Sequence, residues 1–90
     1  MTNKDRYIAH KETIDKYGQA AMVNKTIQEF NELIEELRDW KTGFKNIDHI
    51  TEEIADCQNM LDKMIIMLKI DFKEVKEIKI NKMKRTIKRL

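Results

Sequence analysis

Two pairs of carboxylates stand three residues apart in segments that read as helices: Glu29-x-x-Glu32 and Glu53-x-x-Asp56. Residues at i and i+3 are neighbours on one helix face, so each pair can present its oxygens in one direction. Antiparallel packing of the two segments would bring the pairs together. Four clustered carboxylates cannot all stay ionised without cations. Hard oxygen donors select Mg²⁺ or Mn²⁺, and Mg²⁺ commonly couples a few carboxylates to substrate phosphates. Glu29, Glu32, Glu53 and Asp56 are therefore the candidate ligands, and metal-assisted chemistry is the chemistry they suggest.

Helix periodicity, about 100° per residue, sets where these groups aim. Glu53 falls inside the apolar sector of its helix, between the directions of Met60 and Met64, and Asp56 lies at the sector's edge near Met67. Glu52 points away. Glu29 sits beside the apolar edge of its own helix, near the directions of Met22 and Trp40, with Glu32 one turn along, Glu36 close by and Glu35 directed elsewhere. A carboxylate facing a core is costly unless it is paired or binds a metal. Glu53 thus needs a partner. A buried salt bridge, with Lys25 or Arg38, is the simpler alternative to a cation.

The elements that must position these residues are four helical segments. The first runs from about Asp5 to Tyr17, with Gly18 as a helix stop. The second runs from about Gln19 to Trp40, ended by Thr42 and Gly43, and Phe44–Ile47 is a short linker. Asp48 is a plausible N-cap for the third, which continues to about Ile70. Asp71 caps the fourth, with Glu74 at the capping-box position, and that helix runs to the C-terminus. Ile27, Phe30, Leu33, Ile34 and Leu37 form the apolar stripe of the second helix. Ile50, Ile54, Cys57, Met60, Leu61, Met64, Ile65 and Leu68 form a wider one on the third. Such stripes predict an all-α, four-helix bundle-like fold in one domain, residues 1–90.

Composition agrees. The 90 residues include no proline and two glycines, a scarcity that continuous helices need and turn-rich β folds contradict. A domain of this size builds a thin core, which favours oligomers. The net charge of +2 conceals an asymmetry: residues 1–70 carry 10 basic and 13 acidic groups, residues 71–90 carry 8 and 3. The single cysteine, Cys57, excludes an internal disulfide and a cysteine-based zinc site. The N-terminus, MTNKDRYIAHKE, lacks the apolar core of a secretion signal. The longest apolar stretch, Met64–Leu68, is too short to span a bilayer. A cytoplasmic protein with no membrane partner is expected.

Read in order, Ile27-Gln28-Glu29-Phe30-Asn31-Glu32-Leu33 and His49-Ile50-Thr51-Glu52-Glu53-Ile54-Ala55-Asp56 resemble the MazG-like all-α nucleoside triphosphate pyrophosphohydrolases, in their short single-domain form often found in phages and prophages. The family signature is EExxE, a spacer, then ExxD. The Tyr17-Gly18 break and Asn81-Lys82-Met83-x-Arg85 on the last helix also look similar, so the resemblance spans roughly Tyr17 to the C-terminus. It implies that Glu29, Glu32, Glu53 and Asp56 ligate Mg²⁺, and that Lys82 and Arg85 contact the triphosphate. It implies cleavage between the α- and β-phosphates of an NTP or dNTP, and a dimer or dimer of dimers with its site near a subunit interface. One departure stands out: Gln28 occupies the place where the first Glu of EExxE is common.

Other residues have simpler explanations beside functional ones. Trp40 could stack on a base or be a core or interface residue, and Tyr7 and Tyr17 could line a base pocket. His49, inward on the first turn of the third helix, could ligate a metal or be merely hydrogen-bonded. Cys57 reads as core, and Met60, Met64 and Met67 as packing or an adaptable oligomer interface. The alternative to an enzyme is a non-catalytic oligomeric helical interaction module. Nucleic-acid binding through the basic last helix is weakest, because no aromatic residues interleave its lysines and the rest of the chain is acidic.

Overall fold

The computed structural model describes all of residues 1–90, and every regular element is an α-helix. These are α1 (Asn3–Tyr17), α2 (Gln19–Lys41), α3 (Ile47–Met67) and α4 (Phe72–Arg89). α1 begins two residues before Asp5. Thr2 is its cap and Asp5 its third residue: the Thr2 hydroxyl accepts from the Asp5 N–H, and the Asp5 carboxylate accepts from the Thr2 N–H, each at 3.1 Å. This reciprocal box satisfies donors that a helix start leaves unpaired.

Gly18 serves two helices at once. Its N–H donates to the Ile14 carbonyl, closing α1, and its own carbonyl accepts from Met22, opening α2. Its backbone sits at φ 85°, ψ 163°, a region that is essentially glycine-only. α2 ends as expected at Thr42 and Gly43. With Gly43 at φ 108°, the Phe44 N–H reaches the Asp39 carbonyl and the Gly43 N–H reaches Trp40, the paired bonds of a Schellman end.

Two further helix boundaries, both of α3, differ from the sequence-based expectation. The cap of α3 is Asn46, whose side chain accepts from the His49 N–H at 3.1 Å, and Asp48 falls inside the first turn instead. Both residues are good caps, and the chain uses the earlier one. α3 also stops at Met67, short of Ile70. Lys69 adopts φ 56°, so that Ile70 donates to Ile65 and Lys69 to Ile66, a second Schellman end built without glycine. Asp71 caps α4 as expected, accepting from the Lys73 N–H at 2.9 Å.

Packing departs further from a four-helix bundle. α2 and α3 form an antiparallel hairpin, and α1 lies against both, more on α3. α4 makes almost no contact with the others and buries no residue; Val75 alone is half-buried. The radius of gyration is 15.6 Å, against about 12 Å for a compact domain of this length. The core consists of Ile14, Met22, Ile50, Cys57 and Met60. No helix is long and apolar enough to cross a membrane.

α2 turns an unexpected side inward. Met22 and Glu29 are buried and Phe30 and Leu33 half-buried, while Ile27, Ile34 and Leu37 of its apolar stripe are exposed. The helix hairpin closes on the carboxylate edge of α2.

Candidate metal centre

Glu29 and Glu53 are the buried charged side chains of the chain, 7 % and 6 % exposed. They meet across the α2–α3 interface. Between them the Cys57 thiol donates to the Glu29 backbone carbonyl at 3.4 Å, tying α3 to α2 at this level. Burial, then the surrounding carboxylates with Glu29 first, push the Cys57 thiol up, which keeps it protonated and inert.

Glu29, Glu53 and Asp56 each bring a carboxylate oxygen to within 4.8 Å of the other two. An ion that coordinates oxygen at 2.0–2.1 Å spans roughly 4.2 Å between opposite ligands, so the three oxygens stand at a spacing that such an ion would need only small side-chain rotations to meet. Oε2 of Glu29 and Oε2 of Glu53 are buried with no hydrogen-bond partner. Buried polar atoms without partners are rare and costly in native proteins. An all-oxygen donor set with two unpartnered buried acceptors fits a hard divalent cation. Burial, then the charges of Glu32, Glu29 and Asp56, raise the Glu53 carboxyl above its ordinary range, and the proximity of His49 opposes this. Glu53 carries the electrostatic cost of the cluster.

Nearby cations satisfy only part of it. Lys25 Nζ lies 2.8 Å from Glu29 Oε1, one turn away on α2, and this pairing raises the Lys25 ammonium. Arg38 pairs with Glu35 instead, at 2.8 Å. Neither reaches Glu53, so the buried salt bridge that would have explained its direction is not formed. His49 comes nearest: its Nε2 lies 3.6 Å from Glu53 Oε1, and its Nδ1 lies 2.6 Å from Glu36 Oε1 across the helix hairpin.

The fourth expected ligand stands slightly apart. Glu32 is half-buried at the cluster's edge, and its Oε1 accepts from Gln28 Nε2 at 3.1 Å. Gln28 thus orients a neighbouring carboxylate by hydrogen bonding. Glu32, Glu36, His49 and Glu53 line an open groove of about 700 Å³ together with Asn24, Gln28 and Asn31. Lys82 and Arg85 are exposed on α4 and line neither this groove nor the adjoining one at the α2–α3 turn.

Trp40 is half-exposed, with Lys45 Nζ 4.7 Å from its ring centroid, so one ring face already has a cation on it. Tyr7 lies elsewhere, in a pocket with Arg6, His10 and Phe72. Two features of the site were not anticipated from the sequence. The Lys25–Glu29 pair was visible as an i, i+4 spacing; the His49–Glu36 contact crosses between helices and leaves no sequence signal. No family model, curated protein or solved structure matches the chain.

Proposed function

We propose that this protein holds Mg²⁺ or Mn²⁺ between α2 and α3 and hydrolyses nucleoside triphosphates to monophosphate and pyrophosphate. The observation that carries the reading is the carboxylate cluster itself, in which Glu29 and Glu53 are buried with unpartnered oxygens beside Asp56. The substrate class rests on the order and spacing of the motifs that resemble the MazG-like enzymes.

In this reading Glu29, Glu53 and Asp56 would hold the cation, with Glu32, steadied by Gln28, as a further ligand from the groove edge. The cation, when bound, offsets phosphate charge and makes a water more acidic. The groove orients the triphosphate so that water attacks the α-phosphorus in line with the pyrophosphate leaving group. The bond from α-phosphorus to the bridging oxygen breaks as the new P–O bond forms. Glu36, paired to His49 at 2.6 Å, would accept the water's proton. Lys82 and Arg85 contact the phosphates. Because α4 stands apart from the carboxylates within one chain, their arrival depends on self-association to a dimer or tetramer, which belongs to the proposal.

A second reading, a non-catalytic helical interaction module, is favoured by the exposed apolar faces and the unpartnered α4. Pyrophosphate release across a panel of NTPs and dNTPs with Mg²⁺ separates the two. The proposal expects release by the wild-type chain and none by Glu53→Gln. Undiminished release by Glu53→Gln, or none from a folded wild-type chain that binds Mg²⁺, would sink it.

A further inference from the structure

A cleft of about 370 Å³ lies where the last turns of α1, the first turns of α2 and the end of α3 meet. It shares no residue with the carboxylate groove or with the three-carboxylate cluster. Its floor is apolar: Met22 and Met60 line it, and both belong to the core. Tyr17 stands beside them, and Ala21 brings only a methyl group to the wall. Methionine side chains are unbranched and polarisable, so such a floor moulds to an apolar guest.

Every charged residue lining the cleft is a lysine, although residues 1–70 are net acidic. Lys25 already has a partner, since its Nζ lies 2.8 Å from Glu29 Oε1. Lys63 has none. It is half-buried, no carboxylate pairs with its Nζ, and its hydrogen-bond contact is the Met60 thioether at 4.0 Å. A thioether is a weak acceptor. An ammonium drawn partly out of water without an anion is costly. Its charge is felt nearby: burial, then Lys63, hold the His10 imidazole below its ordinary range, against the pull of Asp62.

We propose that this cleft binds a small carboxylate with an apolar body, its carboxylate on Lys63 and its body on Met22 and Met60. One unpaired ammonium matches a single negative charge, whereas a phosphate monoester brings close to two. The volume falls within the roughly 300–1,000 Å³ of small-molecule sites. At roughly 30 Å³ for each water-sized group, it takes about a dozen non-hydrogen atoms. A medium-length acyl chain and a fused aryl ring both meet that size and chemistry. Neither needs the cation between α2 and α3, so this binding stands or falls independently of the proposed hydrolysis.

NMR of the full chain, isotope-labelled at its methionine methyls, tests the proposal with octanoate and naphthoate as probes. Octanol carries the same chain without the charge, and acetate the charge without the chain. An acid that binds should shift the Met22 and Met60 signals, assigned through Met22→Leu and Met60→Leu, and leave Met83 on α4 in place. Response to octanoate alone marks an acyl ligand, and response to naphthoate alone an aryl one. Lys63→Gln should weaken binding of the acid about tenfold and leave octanol unchanged, because a hydrogen bond to a charged group is lost. Ala21→Leu should abolish binding by filling the cleft, with helical circular dichroism retained because leucine is a good helix former. Glu53→Gln should bind like the wild type. Full affinity in Lys63→Gln overturns the proposal. If that variant misfolds, the wild type still decides, because octanol binding as tightly as octanoate overturns it equally. So does the absence of any shift at Met22 and Met60 with either acid at millimolar concentration.

Discussion

Glu53 shows how a single side chain can set a pH dependence. Burial and the neighbouring carboxylates raise its carboxyl above the usual glutamate range, so the native chain holds that proton more tightly than the unfolded chain does. The resulting stability is present in full below the unfolded value and is lost as pH rises through the folded one. Without metal, therefore, the wild-type melting temperature should fall relative to Glu53→Gln as pH climbs through and above the ordinary glutamate range. Mg²⁺ favours the ionised form and should recover the wild type alone. Parallel melting curves for the two proteins from acid to neutral pH would remove Glu53 from this role. The inward aim of Glu53 was legible on a helical wheel because direction depends on periodicity alone. The stand-off of Glu32 was not, because it follows from a hydrogen bond to Gln28 that competes with convergence. The His49–Glu36 contact was hidden for another reason: it depends on how two helices register, and no spacing within either one reports that.

At the scale of elements, backbone conformation decides where helices stop. Gly18 at φ 85°, ψ 163° has nothing within 4 Å of an added Cβ, so Gly18→Ala would meet no clash and would cost only backbone strain. That cost is about 1–3 kcal/mol, which urea unfolding would resolve. Lys69 is the converse case, a lysine at φ 56° where glycine is the usual choice. Lys69→Gly should stabilise the chain by about 1 kcal/mol. An unchanged midpoint in both variants would mean that the two turns do not hold the helix ends. All four helices were legible from caps, glycines and apolar spacing. The α3 boundaries shifted because two adjacent capping residues compete at its start, and because a lysine can occupy a left-handed position that composition does not reveal. Periodicity located the apolar stripe of α2 correctly, but this chain turns the neighbouring carboxylate edge toward α3.

For the whole molecule, the thin core and the detached α4 are two consequences of one shortage. Seven of 90 residues are buried and no side chain is fully so, leaving apolar rows on α2 and α3 without cover in the single chain. Amphipathic patterning shows that a face wants burial without naming what buries it, which is why the expected four-helix bundle became three packed helices and one apart. Within that sparse core the placement of Glu29 and Glu53 is the costliest choice the chain makes, and a bound cation is what would offset it. Mn²⁺ binding, followed by the loss of free-ion signal in electron paramagnetic resonance, tests this most directly. Wild-type protein should bind Mn²⁺ in competition with Mg²⁺, and Glu53→Gln, equally helical, should not. Equal binding by the two proteins, or none by the wild type at millimolar metal, would contradict the account.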